Sequence, residues 1–289
     1  MMKKAVLGAC LVTALSGCGS DASGVVGELA GAVTGALAQN HPYKNWTLDH
    51  EVLAASWQAI RVSVGNAAMQ SVMSGASQEY VGYSGACPKG GTVSIMQDSA
   101  AQSHYRFNGC IAALVPGLAL TGGVEANGAV RQDMPLTMSG QWLGTAAGIQ
   151  ATEGVLRGKS SGANNLGSSM QKARFTLGTQ TLMVNELHFD ANFVADQPDQ
   201  FSLAGMNGTF NAGDAHYLVI TKTRMDWHRT QHLTSGRLEV LVTKGGETIR
   251  HNIEFKPGEI ISYHPGTKEP HRTRWDSAEM RKALAKYGS

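Results

Sequence analysis

The sequence predicts an α+β fold that is mainly β: a curved, half-barrel-like antiparallel sheet of about ten strands packed on one long amphipathic helix. Three observations predict this fold. Apolar residues recur at three- and four-residue steps between Asp49 and Ser74, which is the period of a helix. From Tyr80 to His264 the alternation has a period of two residues, which is the period of strands. Short connections between those segments favour antiparallel pairing of neighbouring strands.

The predicted helix begins at Asp49, a favourable N-cap residue, and runs to about Ser74. Its apolar positions are Leu53, Trp57, Ile60, Val64 and Val72. Polar residues fall on its other faces: Gln58, Arg61 and Gln70. Because such an apolar face has to be buried, Trp57, Ile60 and Val64 are predicted to face the concave side of the sheet. There they either anchor the core or contact a hydrophobic ligand.

The predicted strands are short alternating segments, several of them separated by glycine-containing pairs that are typical of hairpin turns. They are 92–96, 104–107, 136–143, 174–177, 181–189, 217–222, 237–243, 248–255 and 260–263. The stretch 144–167 is rich in Gly and Ser and alternates weakly, which predicts a long loop or a seam between two halves of the sheet. Near the C-terminus, Asp276 and Glu279 resemble a capping box that opens a short helix.

The N-terminal residues have the layout of a secretory signal peptide, with Lys3 and Lys4 before a short apolar run. The run ends in Leu15-Ser16-Gly17-Cys18, which resembles a bacterial lipobox and implies that Cys18 is lipidated. The predicted organisation is therefore a removed signal peptide (1–17), a Gly-rich lipid-anchored tether (18–44) and a single β-rich domain (45–289). In enterobacterial lipoproteins, Asp after the cysteine tends to retain the protein at the inner membrane. Here Gly19 follows the cysteine, so the resemblance implies the outer membrane, with the domain facing the periplasm and exposure at the cell surface left open.

Two further cysteines, Cys87 and Cys110, remain in the predicted mature chain. An even pair in an exported protein most simply forms one disulfide. The alternative roles of catalytic thiolate or metal ligand lack a neighbouring pattern of partner residues.

Charge and motifs restrict the possible functions. Loss of Lys3 and Lys4 reduces the 24 basic residues to 22, which equals the 22 acidic residues and argues against nucleic-acid binding. Basic residues outnumber acidic ones from Lys222 onward, so a basic face could contact anionic headgroups or another acidic partner.

The histidines do not form a recognisable metal motif. His228 and His232 lack an accompanying glutamate, and His251, His264 and His271 show no compact ligand spacing. We therefore predict no metal, no cofactor and no catalytic residue.

The run Cys87–Ile95 followed by Phe107-Asn108-Gly109-Cys110 resembles a pattern in uncharacterised proteobacterial outer-membrane lipoproteins. That resemblance implies a β-rich exported domain and implies no particular activity.

The predicted layout is also similar in outline to lipoprotein-carrier half-barrels. The leading hypothesis is a non-enzymatic outer-membrane lipoprotein that binds or scaffolds an envelope partner or a hydrophobic ligand. The alternatives are a hydrolase of envelope polymers and a purely structural envelope protein.

Overall fold

The structure is a computed structural model that describes most of the chain after residue 45. The described residues are 46–75, 84–99, 102–113, 115, 117–126, 130–143, 145–146, 148–162, 165–193, 200–228 and 232–289. They belong to one compact unit, Asn40–Ser289. The predicted signal peptide, Cys18 and the tether lie outside the described residues. Within the described part, no helix combines the length and the apolar character needed to cross a membrane.

The described residues contain two helices, α1 (Trp46–Gly75) and α2 (Ala278–Ala285). The first eight strands are β1 (Ser84–Ala86), β2 (Thr92–Ser99), β3 (Gln102–Ile111), β4 (Ala119–Ala126), β5 (Val130–Ser139), β6 (Gln141–Trp142), β7 (Thr145–Ala146) and β8 (Ile149–Gly162). The other eight are β9 (Asn165–Leu177), β10 (Gln180–Phe193), β11 (Gln200–Ala212), β12 (Ala215–His228), β13 (Leu233–Lys244), β14 (Glu247–Lys256), β15 (Glu259–Tyr263) and β16 (His271–Thr273).

Fourteen of these strands form a single sheet within the described residues, and every neighbouring pair is antiparallel. The strand order follows the chain from β1 to β5 and from β8 to β16, while β6 and β7 pair separately. In the described residues β1 and β16 lie at the two edges, so the sheet is not closed. The predicted class, mainly β and antiparallel, is confirmed. The predicted number of about ten strands is wrong.

The predicted loop over 144–167 is also wrong where the structure describes it, because β8 is a central strand between β5 and β9. The register of β8 against β9 shifts on both sides of Glu153, which marks a bulge. Gly154 adopts a φ of 145°, and a Cβ atom there would lie 2.6 Å from the Cβ of Ala173. The glycine that suggested a loop therefore allows two strands to approach closely.

Every residue of helix α1 from Val52 to Met69 is buried, whichever side of the helix it lies on, so the predicted amphipathic helix is wrong. Fully buried residues include the polar side chains of Gln58, Arg61 and Asn66 beside the apolar ones. Contacts run from α1 to β8, β9, β11 and α2, and its apolar residues share one hydrophobic core with strands from across the sheet. A helix with partners on several sides needs no solvent-facing stripe.

Both helix starts differ from the sequence prediction. Asp49 lies inside the first turn of α1, which begins at Trp46, so Asp49 is not the N-cap. Helix α2 is capped by Ser277 rather than Asp276, since the Ser277 hydroxyl accepts a hydrogen bond from the Met280 backbone N–H at 3.1 Å. The predicted strand over 136–143 is likewise divided, because β5 ends at Ser139.

The predicted disulfide is confirmed between Cys87 and Cys110, whose Cα atoms are 5.5 Å apart. It joins the turn after β1 to β3, and the Ile111 backbone N–H donates to the Gly90 carbonyl at 2.8 Å beside it. The turn is thus fixed to β3 both covalently and by hydrogen bonds.

Breaking this disulfide is expected to lower the free energy of unfolding by about 3 kcal/mol, because the unfolded chain regains the freedom of the closed loop. Urea denaturation of the double variant Cys87→Ala/Cys110→Ala measures the effect. Adding a reductant should destabilise the wild type to a similar degree and leave the double variant unchanged. Equal stability of the variant and the oxidised wild type would contradict this prediction.

Candidate functional site

A buried polar cluster lies where the first turn of α1 meets the C-terminal strands. We define the Asp49 cluster as Asp49, His251, Ser262, His264 and His271. The side chains of Asp49, His251 and His264 have no solvent exposure, whereas that of His271 is 18% exposed. The cluster thus places one carboxylate and three imidazoles at the boundary between helix and sheet.

The carboxylate of Asp49 is the common partner of this cluster. Its Oδ1 lies 3.0 Å from His251 Nδ1 and 2.8 Å from His264 Nε2. Its Oδ2 lies 2.9 Å from His271 Nδ1. The Ser262 hydroxyl donates to Oδ1 at 3.3 Å, so both carboxylate oxygens have partners. A buried carboxylate needs such partners to remain charged.

Strand register explains how the histidines converge. Lys256 pairs with Glu259 across the two-residue turn between β14 and β15, and Asn252 pairs with Tyr263. One further step along each strand places His251 opposite His264, and their rings meet edge to face at 4.7 Å. In the next pair of strands, Ser262 is opposite His271. Residues that are distant in sequence therefore become cross-strand neighbours.

Burial and hydrogen bonding shift the pKa values of Asp49 and His251 in opposite directions. Burial by itself raises the pKa of Asp49, but hydrogen bonds from His251, His264 and His271 outweigh it and hold that pKa well below its ordinary value. Burial lowers the pKa of His251, and the hydrogen bond to Asp49 opposes part of that shift. Asp49 is therefore an anion throughout the physiological pH range.

A pocket of about 720 Å³ adjoins the Asp49 cluster on its outer side. Its walls include His50, Glu51, His271, Arg272, Arg274, Glu279, Lys282 and Lys286. His271 belongs to both the Asp49 cluster and the pocket. Its Nδ1 contacts Asp49, and its ring centroid lies 5.2 Å from that of His50. Basic side chains outnumber acidic ones in these walls, which favours an anionic occupant.

A second group of buried polar residues lies farther along α1. The Arg61 guanidinium donates to Gln58 Oε1 at 3.0 Å and to Ser289 Oγ at 3.2 Å, and it lies 5.0 Å from the ring centroid of Trp142. Its Nε and Nη2 have no hydrogen-bond partner among the described residues. Burial lowers the pKa of Arg61 to about 9, which still leaves it charged at neutral pH.

Replacing Arg61 with methionine is expected to raise the free energy of unfolding by about 1–3 kcal/mol. The substitution removes a buried charge with two unsatisfied nitrogens, while the methionine side chain keeps most of the stem packing. Urea denaturation measures the change. The control is Arg174→Met, because Arg174 is half-exposed and paired with Glu153 at 2.7 Å. A loss of stability in Arg61→Met larger than that of the control would contradict this prediction.

His232 contacts the aromatic rings of Trp57 and Trp275. Its ring stacks on Trp275 at 4.4 Å and lies 5.3 Å from Trp57, and its Nε2 has no hydrogen-bond partner in the described part of the chain. Burial, with a contribution from the charge of Arg61, lowers the pKa of His232 to about 4. His232 is therefore neutral in the folded protein at neutral pH.

This shift predicts acid sensitivity. Between the ordinary histidine pKa of about 6.5 and the folded value, the unfolded chain binds a proton that the folded chain does not. The contribution of His232 to the free energy of unfolding should therefore fall by about 3 kcal/mol as pH decreases from 6.5 to 4. Urea denaturation of wild type and His232→Gln across this range measures the difference, and His216→Gln is the exposed control. A parallel pH dependence of wild type and His232→Gln would contradict the prediction.

The structure places the sequence-predicted residues as follows. Trp57, Ile60 and Val64 are buried in the hydrophobic core with at most 1% exposure, and their contact with a ligand stays a prediction.

Sequence reasoning missed the Asp49 cluster, although it considered His251, His264 and His271 separately. The signal that identifies them is the register of the β14–β15 hairpin, because its two-residue turn at Pro257-Gly258 fixes which histidines face each other.

The Asp49 cluster does not have the geometry of a serine hydrolase triad. In such a triad the carboxylate and the hydroxyl bond to different nitrogens of one imidazole. Here Asp49 Oδ1 and Ser262 Oγ both approach Nε2 of His264, at 2.8 and 3.2 Å. Ser262 is also buried, with 2% exposure. The cluster therefore gives no support to a serine hydrolase.

Comparisons with protein-family models, with curated proteins and with solved structures found no match to this chain.

Proposed function

We propose that this protein is a lipid-anchored lipoprotein of the outer membrane that binds an anionic partner without catalysing a reaction. The lipobox-like segment ending at Cys18 supports the anchor, and the Cys87–Cys110 disulfide agrees with an oxidising compartment. The main support for a binding role is the pocket beside the Asp49 cluster. The walls of this pocket contain more basic than acidic side chains.

In this proposal the sheet curves as a half-barrel around α1, and the helix occupies its concave side. Support comes from the complete burial of Trp57, Ile60 and Val64 among strand residues. A hydrophobic ligand on that side would have to displace well-packed core residues, at a cost of several kcal/mol. A ligand in the surface pocket meets no such cost, so the surface pocket is the better binding site.

The proposed partner is an anionic lipid headgroup. A lipid on Cys18 would hold the domain close to the membrane surface, where basic side chains gain about 1 kcal/mol each from anionic lipids. Lys282 and Lys286 project from α2 and the turn after it, while Arg272 and Arg274 lie on and just after β16. Three of these four side chains already have a carboxylate partner: Arg272 has Glu259 at 2.8 Å, Arg274 has Asp276 at 2.9 Å and Lys286 has Glu51 at 2.6 Å. An exchange of partners is therefore part of the proposed binding.

Two experiments test the proposal. Cys18→Ser should leave the domain folded but unprocessed or mislocalised in membrane fractionation. Normal acylation of that variant would overturn the proposed lipid anchor.

The second experiment tests the headgroup. The unlipidated Cys18→Ser chain should sediment with phosphatidylglycerol vesicles and not with phosphatidylcholine vesicles, in a salt-dependent manner. Adding Lys282→Ala should weaken sedimentation, whereas Lys222→Ala, on β12 outside the pocket, should not. Equal binding to both kinds of vesicle would overturn the headgroup assignment.

A further inference from the structure

We propose that Asp49, His251 and His264 form a binding site for a divalent transition-metal ion of the zinc class. One carboxylate oxygen and two imidazole nitrogens, all fully buried, lie within 4.8 Å of one another. This site is separate from the headgroup pocket and does not depend on the proposed function.

The distances from the carboxylate oxygen to the two imidazole nitrogens are close to those within a coordination sphere. Zinc lies about 2.0–2.1 Å from histidine nitrogens and carboxylate oxygens, which places tetrahedral ligand atoms about 3.3 Å apart. Asp49 Oδ1 lies 3.0 Å from His251 Nδ1 and 2.8 Å from His264 Nε2. The third pair of donors, the two imidazole nitrogens, lies within 4.8 Å. Seating an ion therefore requires Asp49 Oδ1 to separate from both nitrogens by a few tenths of an ångström, and it requires the two nitrogens to adopt a similar spacing of about 3.3 Å.

The chemistry of the donors selects the class of ion. Imidazole nitrogens favour zinc and its transition-metal neighbours, whereas calcium and magnesium prefer oxygen ligands. Three protein ligands fill three positions of a tetrahedral zinc ion, and a water molecule can take the fourth. The ion would replace the hydrogen-bonding protons on His251 Nδ1 and His264 Nε2. Each ring would then present a lone pair at that nitrogen, and the displaced protons pass to the other ring nitrogen or to solvent.

Neighbouring residues provide support around the donors and a route to them. His271 holds Asp49 through Oδ2 at 2.9 Å, so the carboxylate keeps its orientation while Oδ1 binds the ion. The partly exposed ring of His271 also lines the pocket, which gives an ion a path from solvent. Because Asp49 belongs to α1, His251 to β14 and His264 to the position directly after β15, the ion would join the helix to the sheet.

Metal binding by the full chain in detergent, after removal of metal with EDTA, tests this proposal. Calorimetric titration with ZnCl₂ should show one tight equivalent, and elemental analysis after desalting should find one retained zinc ion. At a free zinc concentration of about 100 times Kd, the thermal midpoint should rise by about 5–10 °C. His264→Gln should lose the retained ion. The matched control His188→Gln removes a surface histidine that is also paired with a carboxylate, Glu186 at 3.1 Å, and should keep it.

A folded wild-type chain that retains no zinc would overturn the proposal, as would loss of the ion from His188→Gln but not from His264→Gln. X-ray absorption on the wild type covers the case in which His264→Gln does not fold. Two imidazole ligands at about 2.0–2.1 Å are expected, and a spectrum without imidazole scattering would overturn the site.

Discussion

Replacing Asp49 with alanine is expected to lower the free energy of unfolding by about 3–5 kcal/mol, because each buried hydrogen-bond donor left without its acceptor costs about 1–3 kcal/mol. The substitution leaves His251, His264 and His271 without the carboxylate that accepts their hydrogen bonds at 2.8–3.0 Å. It also removes the link between the first turn of α1 and β14–β16. Urea denaturation in the presence of EDTA measures the effect without any contribution from a bound metal.

The matched control for this prediction is Asp214→Ala. Asp214 is also paired with a cation, Lys244 at 3.2 Å, but its side chain is 77% exposed. Exposed ion pairs contribute about 0–1 kcal/mol, so the control should change stability little. Similar effects of the two substitutions would show that the burial of the Asp49 cluster contributes nothing to stability.

The class of the fold could be predicted because alternation and turn residues are local signals. Segments such as 237–243 and 248–255 alternate clearly, and the structure has them in β13 and β14. β4 and β8 were missed because Gly122, Gly123 and Gly154 interrupt their alternation. A glycine at a bulge and a glycine in a loop look alike in sequence, and only the neighbouring strands distinguish them.

The burial of α1 and the Asp49 cluster could not be predicted from local patterns. Arg61 and Asn66 have the polarity of solvent-facing residues, yet partners on several sides bury them. Asp49 lies about 200 residues before His251, and no spacing rule joins two such positions. The pair of His251 and His264 is different: the hairpin register places them opposite each other, so this half of the cluster is within reach of sequence reasoning.

Replacing Trp57 with alanine is expected to lower the free energy of unfolding by about 3–5 kcal/mol in the absence of any ligand. Trp57 is among the largest fully buried side chains, with 1% exposure, and its ring lies 5.1 Å from Trp275 and 5.3 Å from His232. Truncation leaves a cavity that helix α1 cannot close, because neighbouring strands hold it in place. Urea denaturation measures the loss.

The result also separates the two roles considered for Trp57. A side chain that lines a ligand site is truncated at little cost to the ligand-free protein, whereas a core anchor is not. Met96→Ala provides the comparison, since Met96 is a large apolar residue on β2 with 50% exposure and should change stability by less than about 0.5 kcal/mol. If Trp57→Ala costs as little stability as Met96→Ala, Trp57 would again be a candidate for contact with a hydrophobic ligand. A large loss would instead favour the surface pocket as the proposed binding site.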